Sequence, residues 1–158
     1  VPAAAVRALA PADLRAALSL FGGGPEISRY FTRAREIVEE AAAGRSEHLA
    51  FATTDGRELT GMLLCTEVAG TEGTASITAV SVRSNRRRRG LGTTLVHAAC
   101  EALRHRGCRL VIAELPDDPA IAPAHKLLAK CRFTETGRIP HFYADRIAMV
   151  IYERRLAR

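Results

Sequence analysis

The sequence predicts an α/β domain built on one mixed sheet, with an antiparallel N-terminal half fused to a parallel βαβ C-terminal half. Three observations carry this. Two strand-like runs, "HLAFATT" and "ELTGMLLCTEV", flank Asp55 and Gly56, a strong hairpin turn signal. A third run, "TASITAVSV", follows after the turn "GTEG". The apolar period then changes to a helical one over residues 91–103, and the short buried-type run "RLVIAEL" comes after it.

"VRALAPADL" reads as a short strand, a break and a helix from about Pro11, since proline is tolerated in a first helical turn. "FGGGPE" breaks that helix. Ser28 can cap the next, in which Phe31, Ala34, Val38 and Ala41 recur at helical spacing and Gly44 closes the run. The three strand-like runs then form a meander. From Leu91, the apolar or small residues Leu91, Leu95, Ala98, Ala99, Ala102 and Leu103 define one helical face. Arg104, His105 and Arg106 suit its C-terminal dipole, and Gly107 ends it. Strand, helix and strand over residues 74–115 make the parallel unit. Ala124, Leu127, Leu128 and Cys131 mark another helix. "RFTETGRI" and "RIAMVIYERRL" are two closing strands joined through "PHFYAD".

Composition bounds the function. A chain of 158 residues fits a single domain spanning residues 1–158. No apolar run reaches the roughly 18 residues of a membrane span, so a cytoplasmic protein with no membrane partner is expected. Cys65, Cys100, Cys108 and Cys131 are scattered without a C-x-x-C pair and sit in apolar stretches, as buried small hydrophobes do. Spacing among the histidines suggests no metal: His97, His105 and His125 fall on helix surfaces, and His48 opens a strand. The net charge is +6, with nearly all cations arginine. That suits phosphate or carboxylate. The few aromatics do not alternate with the basic residues, which argues against a single-stranded nucleic acid.

The stretch "SVRSNRRRRGLGTTLV" concentrates this charge. A strand, a glycine-rich turn and a helix form an anion-binding arrangement, because the first helical N–H groups lack internal partners. Gly90 and Gly92 carry no Cβ and let a phosphate approach the backbone. Arginines on the rim add paired charge. A dinucleotide fingerprint would need glycine at position 95, where Leu95 stands, and a P-loop would need a lysine.

The string Arg87-x-x-Gly90-x-Gly92, in "AVSVRSNRRRRGLGTTLV", resembles the signature of the GNAT superfamily of N-acetyltransferases. "AHKLLAKCRF" is similar to the helix that follows it there. "TEGTASITAVSV" and "GRIPHFYADRIAMVIYERRL" look like a bacterial branch of these enzymes. The likeness covers nearly the whole chain. It implies the acyl-CoA N-acyltransferase fold, with the central strands splayed apart. It also implies acetyl-CoA (coenzyme A) as co-substrate and no metal. The pyrophosphate would sit on Arg87, Arg88, Arg89, Gly90, Leu91, Gly92 and Thr93. Backbone groups of Val80 and Val82 would pair with the pantetheine arm.

Acetyl transfer from a thioester to an amine needs a neutral amine, a polarised carbonyl and a stabilised leaving thiolate. Holding the reactants together supplies roughly 7–11 kcal/mol, and a positioned acid or base adds about 10²–10⁴ in rate. The family's usual acid, a tyrosine, falls here on Leu128, and its usual glycine on Arg132. The thiolate can leave without an acid, a thiol pKa of about 8.5 making it a fair leaving group, and Tyr143 is the candidate substitute acid. Glu114, at the end of the strand beside the cleft, is the candidate base. Asp117 and Asp118 read as loop-shaping, and His141 as structural. Glu26, Arg29 and Tyr30 are candidates for holding a small-molecule or peptide amine acceptor. Two alternatives stand beside this reading: a catalytically degenerate acyl-CoA sensor, motivated by Leu128 and Arg132, and a basic nucleic-acid-binding module. The C-terminal strands also offer a surface for a homodimer.

Overall fold

The computed structural model describes residues 5–20, 30, 32–45 and 47–157. Strand β1 (Val6–Ala8) leads through a 3₁₀ turn, Pro11–Asp13, into helix α1 (Leu14–Leu20). Asp13 fixes this entry. Its carboxylate accepts two N–H groups of Arg7 at 2.6 and 2.8 Å and the Ala10 N–H at 2.8 Å. Helix α2 (Ala34–Ala42) follows, and Gly44 stands just beyond it at φ 77°. Its buried side is Ala34, Ile37, Val38 and Ala42, so Ala42 takes the place expected of Ala41. Ser28, Phe31 and "FGGGPE" lie outside the described residues.

Strands β2 (His48–Asp55), β3 (Glu58–Glu67) and β4 (Thr74–Val82) form the antiparallel meander. Helix α3 (Leu91–His105), β5 (Leu110–Pro116), helix α4 (Ala122–Lys130), β6 (Thr134–Ala144) and β7 (Ile147–Arg155) complete the chain. The sheet order is β1-β2-β3-β4-β5-β7-β6. Only β4 and β5 pair in parallel; the other neighbours are antiparallel. This is the mixed sheet the sequence predicts.

Alternation along the strands feeds a core on each face. On one face, Leu63, Cys65, Ala75 and Ile77 pack with Leu95, Val96, Ala99 and Leu103 of α3 and Leu128 of α4. On the other, Ala50, Met62, Leu64 and Ala79 pack with Ala17, Ile37 and Val38 of α1 and α2. The buried face of α3 comprises Leu95, Val96, Ala99, Cys100 and Leu103. Ala98 and Ala102 stay half-exposed, so the stripe is rotated from the expected one toward Val96 and Cys100. All four cysteines are buried free thiols. Burial pushes the Cys65 thiol up to about 12 and Cys100 to about 11, which leaves both inert. Among the described residues, no helix is long and apolar enough to cross a membrane.

One irregularity positions the site. Leu64 pairs with Ala79 and Cys65 with Ile77, leaving Thr78 as an extra residue in β4. This β-bulge reverses which way the strand faces. Ala75 and Ile77 lie on the α3 side, and Ala79 lies on the α1–α2 side. The Thr78 hydroxyl donates to the Leu64 carbonyl at 3.1 Å and holds the bulge.

Candidate active site

At the bulge the sheet opens. The parallel register runs from Thr74↔Leu110 to Ile77↔Ala113 and stops there. β4 continues to Val82, while β5 follows β7 as far as Pro116↔Met149. The Arg83 N–H donates to Thr60 at 2.8 Å, so Arg83 faces β3. Antiparallel alternation then turns Ser81 toward β3 and the backbone groups of Val80 and Val82 toward the gap. The Val82 carbonyl accepts from Arg87 Nε at 3.1 Å.

Beyond β4 the chain makes a short 3₁₀ turn, Ser84–Arg86, and enters α3 through Gly90. Arg88 and Gly90 both stand in the left-handed region, at φ 61° and 77°. Gly90 is unstrained there; a residue with a Cβ is not. Its carbonyl receives both the N–H and the hydroxyl of Thr94, at 2.9 and 3.1 Å. Among the described residues, the N–H groups from Arg88 through Thr93 find no backbone acceptor. They form a nest of donors at the positive end of a fifteen-residue helix. Gly92 has a further use in the fold. A Cβ there would stand 3.2 Å from Leu127 Cδ2, so its bareness serves the close approach of α4.

The four arginines divide. Arg86 pairs with Asp55 at 2.9 Å and Glu58 at 3.4 Å, tying the turn to the β2–β3 hairpin. Arg83 reinforces this with Glu58 at 3.2 Å and the Leu59 carbonyl. Arg87, Arg88 and Arg89 are exposed and form no ion pair among the described residues.

Across the gap, Tyr143 lies half-buried in β6, where the register slips between Ile139 and Ala144. "PHFYA" therefore belongs to β6 as a wide bulge and is not a plain loop. Tyr143 stands edge-on to Tyr30 and to Phe142, with ring centroids 5.4 and 5.0 Å away. Burial first, then the charge of Glu114, raises its pKa, and Tyr30 adds to the effect. Glu114 is exposed on β5 just past the last parallel pair. The structure thus brings together Glu114, Tyr143 and Tyr30. Glu26 and Arg29 lie outside the described residues.

Asp118 does more than shape a loop. One carboxylate oxygen accepts the Ala120 N–H at 2.9 Å, and the other accepts the Tyr30 hydroxyl at 2.7 Å. Asp117 pairs with Arg138. His141 accepts the Arg146 N–H at 3.1 Å and serves the turn. Leu128 is buried in the core, so no proton donor comes from that position.

Two histidines depart from the expected pattern. His125 is not a free helix-surface residue. Its Nε2 faces the Pro116 carbonyl at 2.9 Å, and its Nδ1 faces the Tyr152 hydroxyl at 2.7 Å. A carbonyl only accepts, so Nε2 carries a proton; in the neutral ring Nδ1 then accepts from the Tyr152 hydroxyl. This ties α4 to the end of β5. His48 places Nε2 2.8 Å from Glu40 and Nδ1 2.8 Å from the Thr66 hydroxyl, tying α2 to the meander. Neither link has a signal in the sequence, because the partners are far apart along the chain.

The sequence profile of the acetyltransferase (GNAT) family matches residues 14–133. The chain belongs to this family, and it is an acetyltransferase whose co-substrate is acetyl-CoA. No curated protein matches it in sequence. Solved structures share its fold. One described as an acetyltransferase of the GNAT family, from Desulfovibrio desulfuricans, is 24% identical with a TM-score of 0.86, covering 98% of this chain and 100% of that one. An aminoglycoside 6′-N-acetyltransferase complexed with coenzyme A is 16% identical, with a TM-score of 0.81 and 98% of each chain covered. The ribosomal-protein-S18-alanine N-acetyltransferase from Escherichia coli is 18% identical, with a TM-score of 0.73, covering 99% of this chain and 96% of that one.

Proposed function

We propose that the chain transfers the acetyl group of acetyl-CoA to a primary amine of a small molecule or of a peptide. The observation that carries this is the juxtaposition of two sets of backbone groups that have no backbone partner among the described residues. One is the row of N–H groups from Arg88 through Thr93; the other is the edge of β4 at Val80 and Val82. The turn, with Arg87, Arg88 and Arg89, suits a pyrophosphate. The β4 edge suits the amides of a pantetheine arm, which takes the place of the missing strand partner. The reactive end of such an arm would point toward Glu114 and Tyr143.

Glu114 takes the proton that the attacking ammonium must lose. The amine nitrogen then forms a bond to the thioester carbon, and the carbon–sulfur bond breaks. Tyr143 gives its hydroxyl proton to the departing sulfur, which leaves as the free thiol, and the second proton that the nitrogen sheds as the amide forms returns the tyrosinate to its hydroxyl form. Its raised pKa keeps it protonated until that moment. Tyr30, held by Asp118, fixes the Tyr143 ring and borders the acceptor side. The exposed Phe142 offers an apolar lip beside it. We place the protein in a reducing compartment such as the cytoplasm, in keeping with its four free cysteines.

Calorimetric titration with acetyl-CoA tests the first half of this reading, and thiol release against a panel of primary amines tests the second. Binding followed by amine-dependent release is the expected result. Binding with no release against any amine would favour an acyl-CoA sensor.

A further inference from the structure

A second groove, of about 760 Å³, opens between α3, the turn after α4 and the end of β7. It lies at the far end of the parallel strands from the amide turn. Leu110, where β5 begins, pairs there with Arg155. The walls carry Arg104, Arg132, Arg154 and Arg155 against Glu101 and Glu153. Arg104 is taken up by Glu101 at 2.6 Å. Arg132 and Arg155 form no ion pair among the described residues.

Arg154 is held in place. One of its N–H groups donates to the Cys131 carbonyl at 3.1 Å and lies 3.5 Å from His97 Nδ1. Among the described residues, its remaining donors have no carboxylate partner. Arg132 follows the C-cap of α4 at φ 65°. That backbone region is free to glycine and strained for a residue with a Cβ. The strain sets a guanidinium on the groove wall.

Arginines gathered without matching carboxylates repel one another, and an anion relieves them. We propose that this groove binds a phosphate-bearing small molecule, seated between the guanidiniums of Arg132 and Arg154 with Arg155 at the rim. Planar guanidiniums grip phosphate oxygens in pairs. The volume falls within the range of small-molecule sites. Among the described residues, the walls contain no Phe, Tyr or Trp on which an unpaired base could stack, which disfavours a single-stranded nucleic acid. His97 reports on the site. Burial and the charges of Arg154 and Arg132 hold its pKa below the usual value, and a bound phosphate would offset both charges.

The experiment titrates inorganic pyrophosphate into protein saturated with coenzyme A, so that the amide turn is already filled. The His97 imidazole signal is followed by NMR. A saturable shift is expected. Arg132→Gly, which relieves the strained backbone, should keep the fold and weaken pyrophosphate binding about tenfold or more. A melting temperature at or above that of the parent chain verifies the fold of this variant. A His97 signal indifferent to pyrophosphate overturns the proposal, as does an Arg132→Gly protein that binds equally well. So does salt-sensitive binding of a short DNA duplex without any pyrophosphate response. Failure to bind coenzyme A would count against the acetyl-transfer reading alone, because the His97 signal reads only this groove.

Discussion

The Tyr30 hydroxyl donates to Asp118 at 2.7 Å, and the Tyr30 ring stands at 80° to that of Tyr143. A carboxylate on one loop thereby orients, through one aromatic ring, the ring that carries the proposed acid. Tyr143→Phe keeps the ring and removes the proton. Its kcat should fall by roughly 10²-fold or more, with KM for acetyl-CoA unchanged. The pH dependence has a definite sign. Tyr143 acts in its protonated form and its pKa is raised, so parent activity should fall only above the ordinary tyrosine value of about 10. The variant should lose this alkaline limb. Steady-state kinetics from neutral to alkaline pH checks both; an unchanged kcat would remove Tyr143 from the chemistry.

The arginine run should separate into two behaviours. Arg86→Gln breaks the links to Asp55 and Glu58 and should cost roughly 0.5–1 kcal/mol of stability, with acetyl-CoA affinity nearly unchanged. Arg88→Gln and Arg89→Gln should leave the melting temperature alone. Each should weaken acetyl-CoA binding several-fold, less so at high salt. Thermal melts and calorimetry at two salt concentrations distinguish them.

The two glycines should fail for different reasons. Gly90→Ala forces a Cβ into the left-handed region, costs about 1–2 kcal/mol and distorts the donor nest, so it should weaken acetyl-CoA binding too. Gly92→Val drives a side chain into Leu127 and should cost about 1–3 kcal/mol. Adding Leu127→Ala should restore part of the Gly92→Val loss and none of the Gly90→Ala loss. A denaturant-melt cycle over these variants gives the coupling directly.

Asp13 should govern part of the acid stability. The hydrogen bonds from Arg7, foremost among the causes, hold its carboxyl below the ordinary value of 3.8. A depressed carboxylate contributes stability above its unfolded pKa and loses it as pH falls through its folded pKa. Asp13→Asn should therefore lower stability near neutrality by about 1–2 kcal/mol. The gap should begin to close as pH falls below about 4. Urea melts across that range test this; a gap that persists in acid would contradict it.

Local signals made much of this fold legible. β4 runs over Thr74–Val82 and α3 begins at Leu91, both as the residues indicate, because period and turn chemistry are properties of neighbours. The bulge at Thr78 was hidden. "TASITAVSV" alternates regularly on paper, and only the pairing with β3 shows that Ala79 changes face. Tertiary rotation of α3 likewise buries Val96 and Cys100 in place of Ala98 and Ala102. The donor nest was legible because it lies in one contiguous turn. The division of labour between Arg86 and its neighbours was not, since it depends on Asp55 and Glu58 in a distant hairpin. The same holds for Gly92, whose partner Leu127 comes from another helix.

The widened register beyond Ile77 and Ala113 has a consequence for how such a chain can change over time. The vacancy there is written in main-chain geometry, which every amino acid except proline supplies equally. Residues around it are free to drift while the berth proposed for the carrier persists. The proposed acceptor side, made of rings and carboxylates, has no such insurance. Diversity of substrate should therefore collect on Tyr30, Glu114, Phe142 and Tyr143, and the carrier should stay constant.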